Sequence, residues 1–137
     1  QYKKRNVDES TYANISNAVC AASVTTASEL DAKALIVPTL SGSTAKLISK
    51  YRPKTHIYAM SPSQGTVRQM MLLWGVTPIW ARRADTTDEL FESSMDELRE
   101  RSIVEKGDLC VITAGVLSRM TRNQPVTATN IMRVMQA

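Results

Sequence analysis

The sequence predicts an α/β sandwich with a mostly parallel sheet. Short apolar segments alternate with helical patterns of roughly ten or more residues, which is typical of strands joined by crossover helices. The last two apolar segments are instead joined by a long polar stretch without a helical pattern, so we expect the final strand to be antiparallel. The 137 residues fit one domain with a continuous core.

The first third of the chain contains a helix, a strand and a second helix. Apolar residues recur at three- and four-residue intervals from Ser10 to Leu30, which predicts an amphipathic helix. Ala34 to Val37 is a short buried strand, and Pro38 ends its central pairing because proline cannot donate to the ladder. The helix-like segment Thr44 to Lys50 ends before Pro53, which disfavours helical backbone at the preceding residue.

The middle of the chain repeats the alternation of strand and helix. His56 to Met60 is the second predicted strand. Ser61-Pro62 predicts an N-cap with proline at the first helical position, for a helix over Gln64 to Leu73 that Gly75 closes. Val76 to Trp80 is the third strand.

The last part of the chain supplies one more helix and two strands. Thr86 to Glu89 has the pattern of a capping box. Gly107-Asp108 then turns the chain into Leu109 to Thr113, the most strongly apolar strand, and Asn130 to Met135 is the fifth. The apolar face of the helix carries Leu90, Phe91, Met95 and Leu98.

A hydroxyl-rich glycine turn follows the first strand and is the candidate functional site. It reads Thr39-Leu40-Ser41-Gly42-Ser43-Thr44 and opens a helix. Backbone N–H groups converge at such a helix start, where the helix dipole and the hydroxyls favour a phosphate. The turn lacks the lysine of a nucleotide P-loop, since Ala45 follows Thr44. The alternative interpretation is an ordinary helix cap.

Two other loops are expected at the same edge of the sheet, because ligands lie beyond the carboxyl ends of parallel strands. Ser61 follows the second strand, and the segment Ala114 to Thr129 follows the fourth. Arg119 and Arg122 in that segment could hold a second phosphate with their planar guanidinium groups. The alternative is that both arginines are solvated loop charges.

Composition excludes several classes of function. Hydrophobic residues make up 43% and charged residues 22%, the balance of a soluble globular domain, and no apolar run approaches a membrane span. The net charge of +4 is dispersed and aromatic residues are only 5%, so we expect no nucleic-acid partner. One histidine, His56, and no Cys or His cluster make a transition-metal site improbable. Cys20 and Cys110 fit free buried thiols in a reducing, cytoplasmic setting.

Several stretches resemble the C-terminal domain of pyruvate kinase, and together they cover nearly the whole chain. The most specific combination is the Ser-Gly-x-Thr turn with Lys50-Tyr51-Arg52-Pro53 downstream. The other matching stretches are Ala34-Leu35-Ile36-Val37, Ile57-Tyr58-Ala59-Met60-Ser61, Trp74-Gly75-Val76-Thr77-Pro78, Lys106-Gly107-Asp108 and Thr129-Asn130-Ile131-Met132-Arg133-Val134.

The resemblance implies a three-layer αβα domain over residues 1–137, with five strands, the last antiparallel, in a homotetrameric, cytoplasmic, glycolytic enzyme. It implies that the catalytic barrel and cap, with the sites for phosphoenolpyruvate, ADP, magnesium and potassium, lie outside this chain, which begins without an initiator methionine. The chain itself would then carry no active site or cofactor. Independently, its residues offer no acid pair, nucleophile–base pair or metal cluster.

The resemblance also implies an allosteric effector pocket for sugar phosphates such as fructose 1,6-bisphosphate, and a subunit interface. The phosphate cradle would be Thr39, Ser41, Gly42, Ser43 and Thr44, with Leu40 contributing its backbone. The chain departs from members that have lysine or arginine at the Leu40 or Ser43 position, and its loop from Gly115 to Thr129 is not glycine-rich. Both departures leave the identity of the effector open.

Three functions are therefore compared. The first is a regulatory and subunit-assembly domain that binds a phosphorylated effector at the Thr39–Thr44 turn. The second is a purely structural interface domain with a vestigial anion site. The third is a stand-alone small-ligand-binding α/β domain, which fold class alone would support.

Overall fold

The computed structural model describes residues 9–115 and 129–137 of the chain. Helices and strands alternate in the order that the sequence predicts. The elements are α1 (Glu9–Glu29), β1 (Ala34–Pro38), α2 (Ser43–Lys50), β2 (Ile57–Ser61), α3 (Gln64–Met70), β3 (Val76–Trp80), α4 (Thr87–Glu100), β4 (Leu109–Ala114) and β5 (Ile131–Gln136).

The strands form one five-stranded sheet in the order β3-β2-β1-β4-β5. β1 pairs in parallel with both β2 and β4, and β2 pairs in parallel with β3. β5 pairs antiparallel with β4, which confirms the predicted mixed sheet. Pro38, the last residue of the central strand, is aligned with Met60 of β2, whereas the pairing of β1 with β4 stops at Ile36.

Helices cover both faces of the sheet, which confirms the three-layer αβα arrangement. On one face, buried residues of α1, α2 and α3 share a core cluster with alternate strand residues. Its members include Cys20, Ile48 and Met70 from the helices and Leu35 and Val37 from β1. On the other face, α4 packs Phe91, Met95, Leu98 and half-buried Leu90 against the sheet. The apolar helix face predicted from the sequence is therefore the contact with the sheet.

The chain reverses its direction of travel across the sheet between β1 and β4. From β1 it moves through α2 and α3 to β2 and β3, and then returns through α4 to β4 on the other side of β1. Loops that follow adjacent strands on opposite sides of such a switch point diverge and leave a crevice at the carboxyl edge. The turn at residues 39–44 follows β1 and lies at this edge.

Helix α3 begins at Gln64 as predicted, but its predicted N-cap and its predicted end are wrong. The N-cap is Ser63, whose hydroxyl accepts a hydrogen bond from the Thr66 N–H at 3.2 Å, and the helix ends at Met70 rather than Leu73. Ser61 is instead the last residue of β2, paired with Trp80. A tertiary contact explains the difference, because the Ser61 hydroxyl donates to the carbonyl of Leu40 at 3.3 Å.

The start of α4 agrees with the predicted cap, with one change. Thr86 is the N-cap, and its hydroxyl accepts from the Glu89 N–H at 3.1 Å. The Glu89 carboxylate accepts from the N–H of Asp85 at 3.3 Å, one residue before the cap. The reciprocal bond of the capping box is therefore displaced by one residue.

Candidate functional site

The turn between β1 and α2 delivers an uncapped helix start to the carboxyl edge of the sheet. Gly42 is the N-cap of α2 and adopts left-handed backbone with φ 87°, which glycine accepts without a steric penalty. Its lack of a side chain leaves α2 without a side-chain cap, whereas Ser63 and Thr86 cap α3 and α4. An anion can take the place of the missing cap at this helix start.

Hydroxyl groups inside the turn hold its shape. The Gly42 N–H donates to the Thr39 hydroxyl at 3.0 Å, and the Ser43 N–H donates to the Ser41 hydroxyl at 3.3 Å. The Ser41 hydroxyl in turn donates to the Ser43 hydroxyl at 3.0 Å. Ser41 and Ser43 are exposed, so their hydroxyls can rotate towards a bound anion without unpacking the core.

Thr44 connects the turn to the far end of the chain. Its side chain is buried, and its hydroxyl lies 2.6 Å from the hydroxyl of Thr129, just before β5. The N–H of Thr129 donates to the Ser16 hydroxyl on α1 at 3.0 Å. Either hydroxyl can be the donor of this pair, and when Thr129 donates, the O–H of Thr44 can donate to a ligand oxygen.

A cavity of about 140 Å³ lies beside the turn. Pro38, Met60 and Leu90 give it apolar surface, while the turn and the start of the loop after β3 give it polar groups. Arg82 and Arg83 in this loop are both exposed. The complete lining is Pro38, Thr39, Leu40, Ser41, Ser43, Thr44, Met60, Ser61, Pro62, Ala81, Arg82, Arg83, Ala84, Leu90, Ser93, Ser94 and Gly115.

The cavity has the composition of a small-molecule site for an anionic ligand. Apolar surface can cover the body of a ligand while a few polar groups fix its orientation. Two guanidinium groups and the uncapped start of α2 provide positive charge or partial positive charge at the same cavity. The arrangement can therefore hold a phosphate ester through the turn and a further oxyanion through an arginine.

Most of the predicted site residues lie together. Thr39, Leu40, Ser41, Ser43 and Thr44 line the cavity, with Gly42 at the centre of the same turn, and Ser61 lines it as expected. Gly115, which begins the loop after β4, also contributes. Arg119 and Arg122 lie outside the described residues, so their assignment as a second phosphate contact stays a prediction.

The cavity residues that follow β3 and those on α4 were not predicted from the sequence. Arg82 and Arg83 come directly after a predicted parallel strand, and the same carboxyl-edge rule that selected Ser61 would have selected them. Ser93 and Ser94 carry no such signal, because their place in the cavity depends on how α4 crosses the sheet.

Both cysteines are buried and free. Burial raises the pKa of the Cys20 thiol to about 11, although a hydrogen bond with Thr129 opposes the shift. Burial also raises the pKa of Cys110 to about 11, with a smaller contribution from the charge of Asp108. Neutral buried thiols of this kind are poor nucleophiles, so neither is placed in a catalytic role.

Three further features of the described residues concern metal ligands, membrane-spanning helices and His56. Within residues 9–115 and 129–137, no group of three or more His, Cys, Asp or Glu side chains could hold a metal ion. In the same ranges, none of the helices combines the length and apolarity needed to cross a membrane. His56 lies at the opposite edge from the turn, with its Nε2 2.6 Å from the Thr77 hydroxyl, which gives it a structural partner.

Comparisons with known proteins agree with the fold described above. Residues 17–135 match the family described as "Pyruvate kinase, alpha/beta domain". The chain is 39% identical to the pyruvate kinase of Clostridium acetobutylicum over 88% of its length and 24% of the relative. For Staphylococcus epidermidis the identity is 42% over 84% of the chain and 20% of the relative. For the pyruvate kinase of Staphylococcus aureus the identity is 38%, over 97% of the chain and 22% of the relative.

The chain thus spans about a fifth to a quarter of the length of the curated relatives it matches. The family match covers α2, strands β1 to β4 and all but the last residue of β5, and so includes the turn and the cavity beside it. The chain belongs to the pyruvate kinase alpha/beta domain family.

Proposed function

We propose that this chain is the regulatory and subunit-assembly domain of a pyruvate kinase, and that a phosphorylated metabolite binds at the Thr39–Thr44 turn. The observation that carries the proposal is the position of the uncapped start of α2 at a cavity that Arg82 and Arg83 also line. Family membership supports the parent enzyme, in which phosphoenolpyruvate and ADP would be converted to pyruvate and ATP. The barrel and cap domains would perform that reaction.

The chemistry of the turn itself favours a phosphate held by hydrogen bonds more than by charge. No lysine or arginine occurs within the turn, so the anion would rely on backbone N–H groups and the hydroxyls of Thr39, Ser41 and Ser43. Hydrogen bonds to a charged acceptor contribute about 1.5–3 kcal/mol each. A phosphate ester can collect several of them at one helix start.

Effector binding would act on catalysis by shifting the enzyme between states of different substrate affinity. Such coupling is typically worth about 1 to 3 kcal/mol. The contact between Thr44 and Thr129 supports this role, because it ties the effector turn to the strand at the opposite edge of the sheet from β3.

Calorimetric titration of the 137-residue chain tests the proposal. Inorganic phosphate, a hexose bisphosphate and a nucleoside monophosphate are the probes, and at least one is expected to bind. Ser41→Asp should weaken that binding by about tenfold or more, since it puts a fixed negative charge in the turn. Thr25→Asp is the matched control, because it adds the same charge on an exposed face of α1 outside the cavity.

The absence of binding by every probe would contradict the effector role and leave the assembly role. An equal effect of Ser41→Asp and Thr25→Asp would place any binding elsewhere. In the complete enzyme, Ser41→Asp should also abolish activation by the effector while preserving basal turnover.

The second candidate function, a structural interface domain, is favoured by a separate observation. Met71 is 65%, Leu72 89% and Trp74 48% exposed, in the turn between α3 and β3. Adjacent exposed apolar side chains of this size mark an association surface. The Arg52 guanidinium lies 5.3 Å from the centre of the Trp74 ring and extends this surface.

The assembly role is tested on the complete enzyme with Leu72→Asp. A negative charge on this surface should lower the melting temperature or reduce the sedimenting mass, because a buried carboxylate would lack a partner. Glu92→Lys, an exposed charge change on α4, is the control. Identical melting and sedimentation of wild type and Leu72→Asp would contradict a role of this surface in assembly.

A further inference from the structure

Helix α3 holds the effector turn from behind, through a residue that neither the turn nor the cavity lining includes. The Thr66 side chain is buried, and its hydroxyl donates to the Leu40 carbonyl oxygen at 2.8 Å. The Ser61 hydroxyl donates to the same oxygen at 3.3 Å. This carbonyl oxygen therefore accepts one hydrogen bond from α3 and one from the end of β2, which uses both of its lone pairs.

These two hydrogen bonds fix the orientation of one peptide group of the turn. The group between Leu40 and Ser41 is planar and trans, so its N–H points in the opposite direction to its C=O. With the oxygen held towards α3, the N–H of Ser41 points away from α3. Rotation of this peptide would break both bonds and turn a carbonyl oxygen towards a bound anion, which it would repel.

Thr66 also contacts the next part of the turn. A Cβ atom built on Gly42 would lie 3.5 Å from the Thr66 Cγ2 and 3.4 Å from the Met70 Cγ. The methyl group of Thr66 thus packs beneath Gly42 while its hydroxyl holds Leu40. One side chain of α3 supports two consecutive parts of the turn.

We propose that Thr66 is a positioning residue for the anion site, which presents the N–H of Ser41 to a bound phosphate by holding the Leu40 carbonyl. The inference rests on the proposed effector function and adds to it a residue outside the binding surface. It requires the hydroxyl of Thr66, because the methyl group can support Gly42 but cannot hold a carbonyl.

Phosphate titration of four variants of the 137-residue chain tests the inference, with inorganic phosphate as the probe. Thr66→Val keeps the shape and removes the donor, and it should weaken phosphate binding by about fivefold or more. Thr66→Ser restores the hydroxyl and should bind within about twofold of wild type. Ser61→Ala removes the longer bond and should cause a smaller loss than Thr66→Val.

Ser63→Ala is the control for stability, because Ser63 caps α3 without contacting Leu40. It should lower the urea midpoint of unfolding while leaving phosphate affinity within about twofold of wild type. The control therefore distinguishes lower stability of α3 from a changed orientation of the peptide group between Leu40 and Ser41. Should Thr66→Val fail to fold, Thr66→Ala removes the same donor with a smaller side chain, and the same loss of phosphate affinity is expected.

Equal phosphate affinity in Thr66→Val and wild type would overturn the positioning role while leaving the effector site intact. A loss in Ser63→Ala as large as that in Thr66→Val would also overturn it, because general stability of α3 would then suffice. Failure of wild type to bind phosphate or any phosphate ester would instead remove the effector site itself, and the positioning role with it.

Discussion

Thr44 and Thr129 are separated by 85 positions in the sequence, yet their hydroxyl oxygens lie 2.6 Å apart in the buried interior. Thr44 is in the first turn of α2, and Thr129 lies two residues before the last strand. The Thr129 N–H extends the chain of hydrogen bonds to Ser16 on α1. The turn between β1 and α2 is therefore joined by hydrogen bonds to the first helix and to the segment before the last strand.

Thr129→Val should destabilise the chain by about 1 to 2 kcal/mol, because it leaves the buried Thr44 hydroxyl without this partner. Thr44→Val combined with Thr129→Val should cost less than the sum of the two single changes. Urea unfolding measures all three. Additive effects would contradict an energetic connection between the two threonines.

Thr113→Val is the matched control for this pair. The Thr113 hydroxyl is fully buried on β4, and it has no hydrogen-bond partner within residues 9–115 and 129–137. Removing an unsatisfied buried hydroxyl with little change in shape should leave stability unchanged or raise it by up to about 1 kcal/mol. The same substitution is thus expected to act in opposite directions at Thr113 and Thr129.

Gly42→Ala should destabilise the chain by about 1 to 2 kcal/mol, because residue 42 has left-handed backbone with φ 87°. The added Cβ would also press against Met70, at 3.4 Å. Gly65→Ala is the control, since Gly65 lies in α3 with its nearest contact at 3.7 Å, and alanine should stabilise this helix by up to about 1 kcal/mol. Equal unfolding midpoints for both variants would show that the turn does not need its glycine.

The two buried thiols should be unreactive in the folded chain. Burial raises the pKa of both to about 11 from 9.0, so at pH 8 neither Cys20 nor Cys110 forms much thiolate. A disulfide reagent should leave both thiols of the folded chain unmodified within minutes. In urea, where the chain is unfolded, it should modify both. Rapid modification of the folded chain at pH 8 would show that a cysteine is accessible.

The raised pKa values of the two thiols also predict how the stability of the fold changes with pH. Because the folded-state pKa is raised, the folded chain retains more protons than the unfolded chain between pH 9 and pH 11. Their contribution to stability is fully present below pH 9 and is lost as the pH rises towards 11. The urea midpoint of Cys20→Ala combined with Cys110→Ala should therefore fall less steeply over this interval than that of wild type.

Arg83→Gln should weaken binding of a bisphosphate more than binding of a monophosphate. The arginine lines the cavity beside the turn and is exposed, so the loss should be up to about fivefold, as for an exposed ion pair. Arg101→Gln removes an exposed arginine that pairs with Glu97 at 3.2 Å outside the cavity, and it should change neither affinity. Equal losses for both phosphate esters would contradict a specific contact of Arg83 with the second phosphate.

The hydrophobic pattern and the turn residues were sufficient to predict the order of elements, the mixed sheet and the glycine turn that opens α2. Pro38, Gly42 and the apolar run before them act locally, so their consequences can be read from neighbours in sequence. The contacts of Leu40 with Ser61 and Thr66 depend on how α3 packs, and no local pattern reports them. For the same reason Ser63, rather than Ser61, caps α3.

The proposed function depends most directly on phosphate binding at the turn between β1 and α2. The decisive measurement is a titration of ¹⁵N-labelled chain with inorganic phosphate, in which the amide resonances are followed residue by residue. The amides of Ser41, Ser43 and Thr44 are expected to shift and saturate together, while that of Gly107, at the opposite edge of the sheet, stays unchanged. If the amide resonances of the turn do not shift even at high phosphate concentration, the proposed effector site at this turn is contradicted.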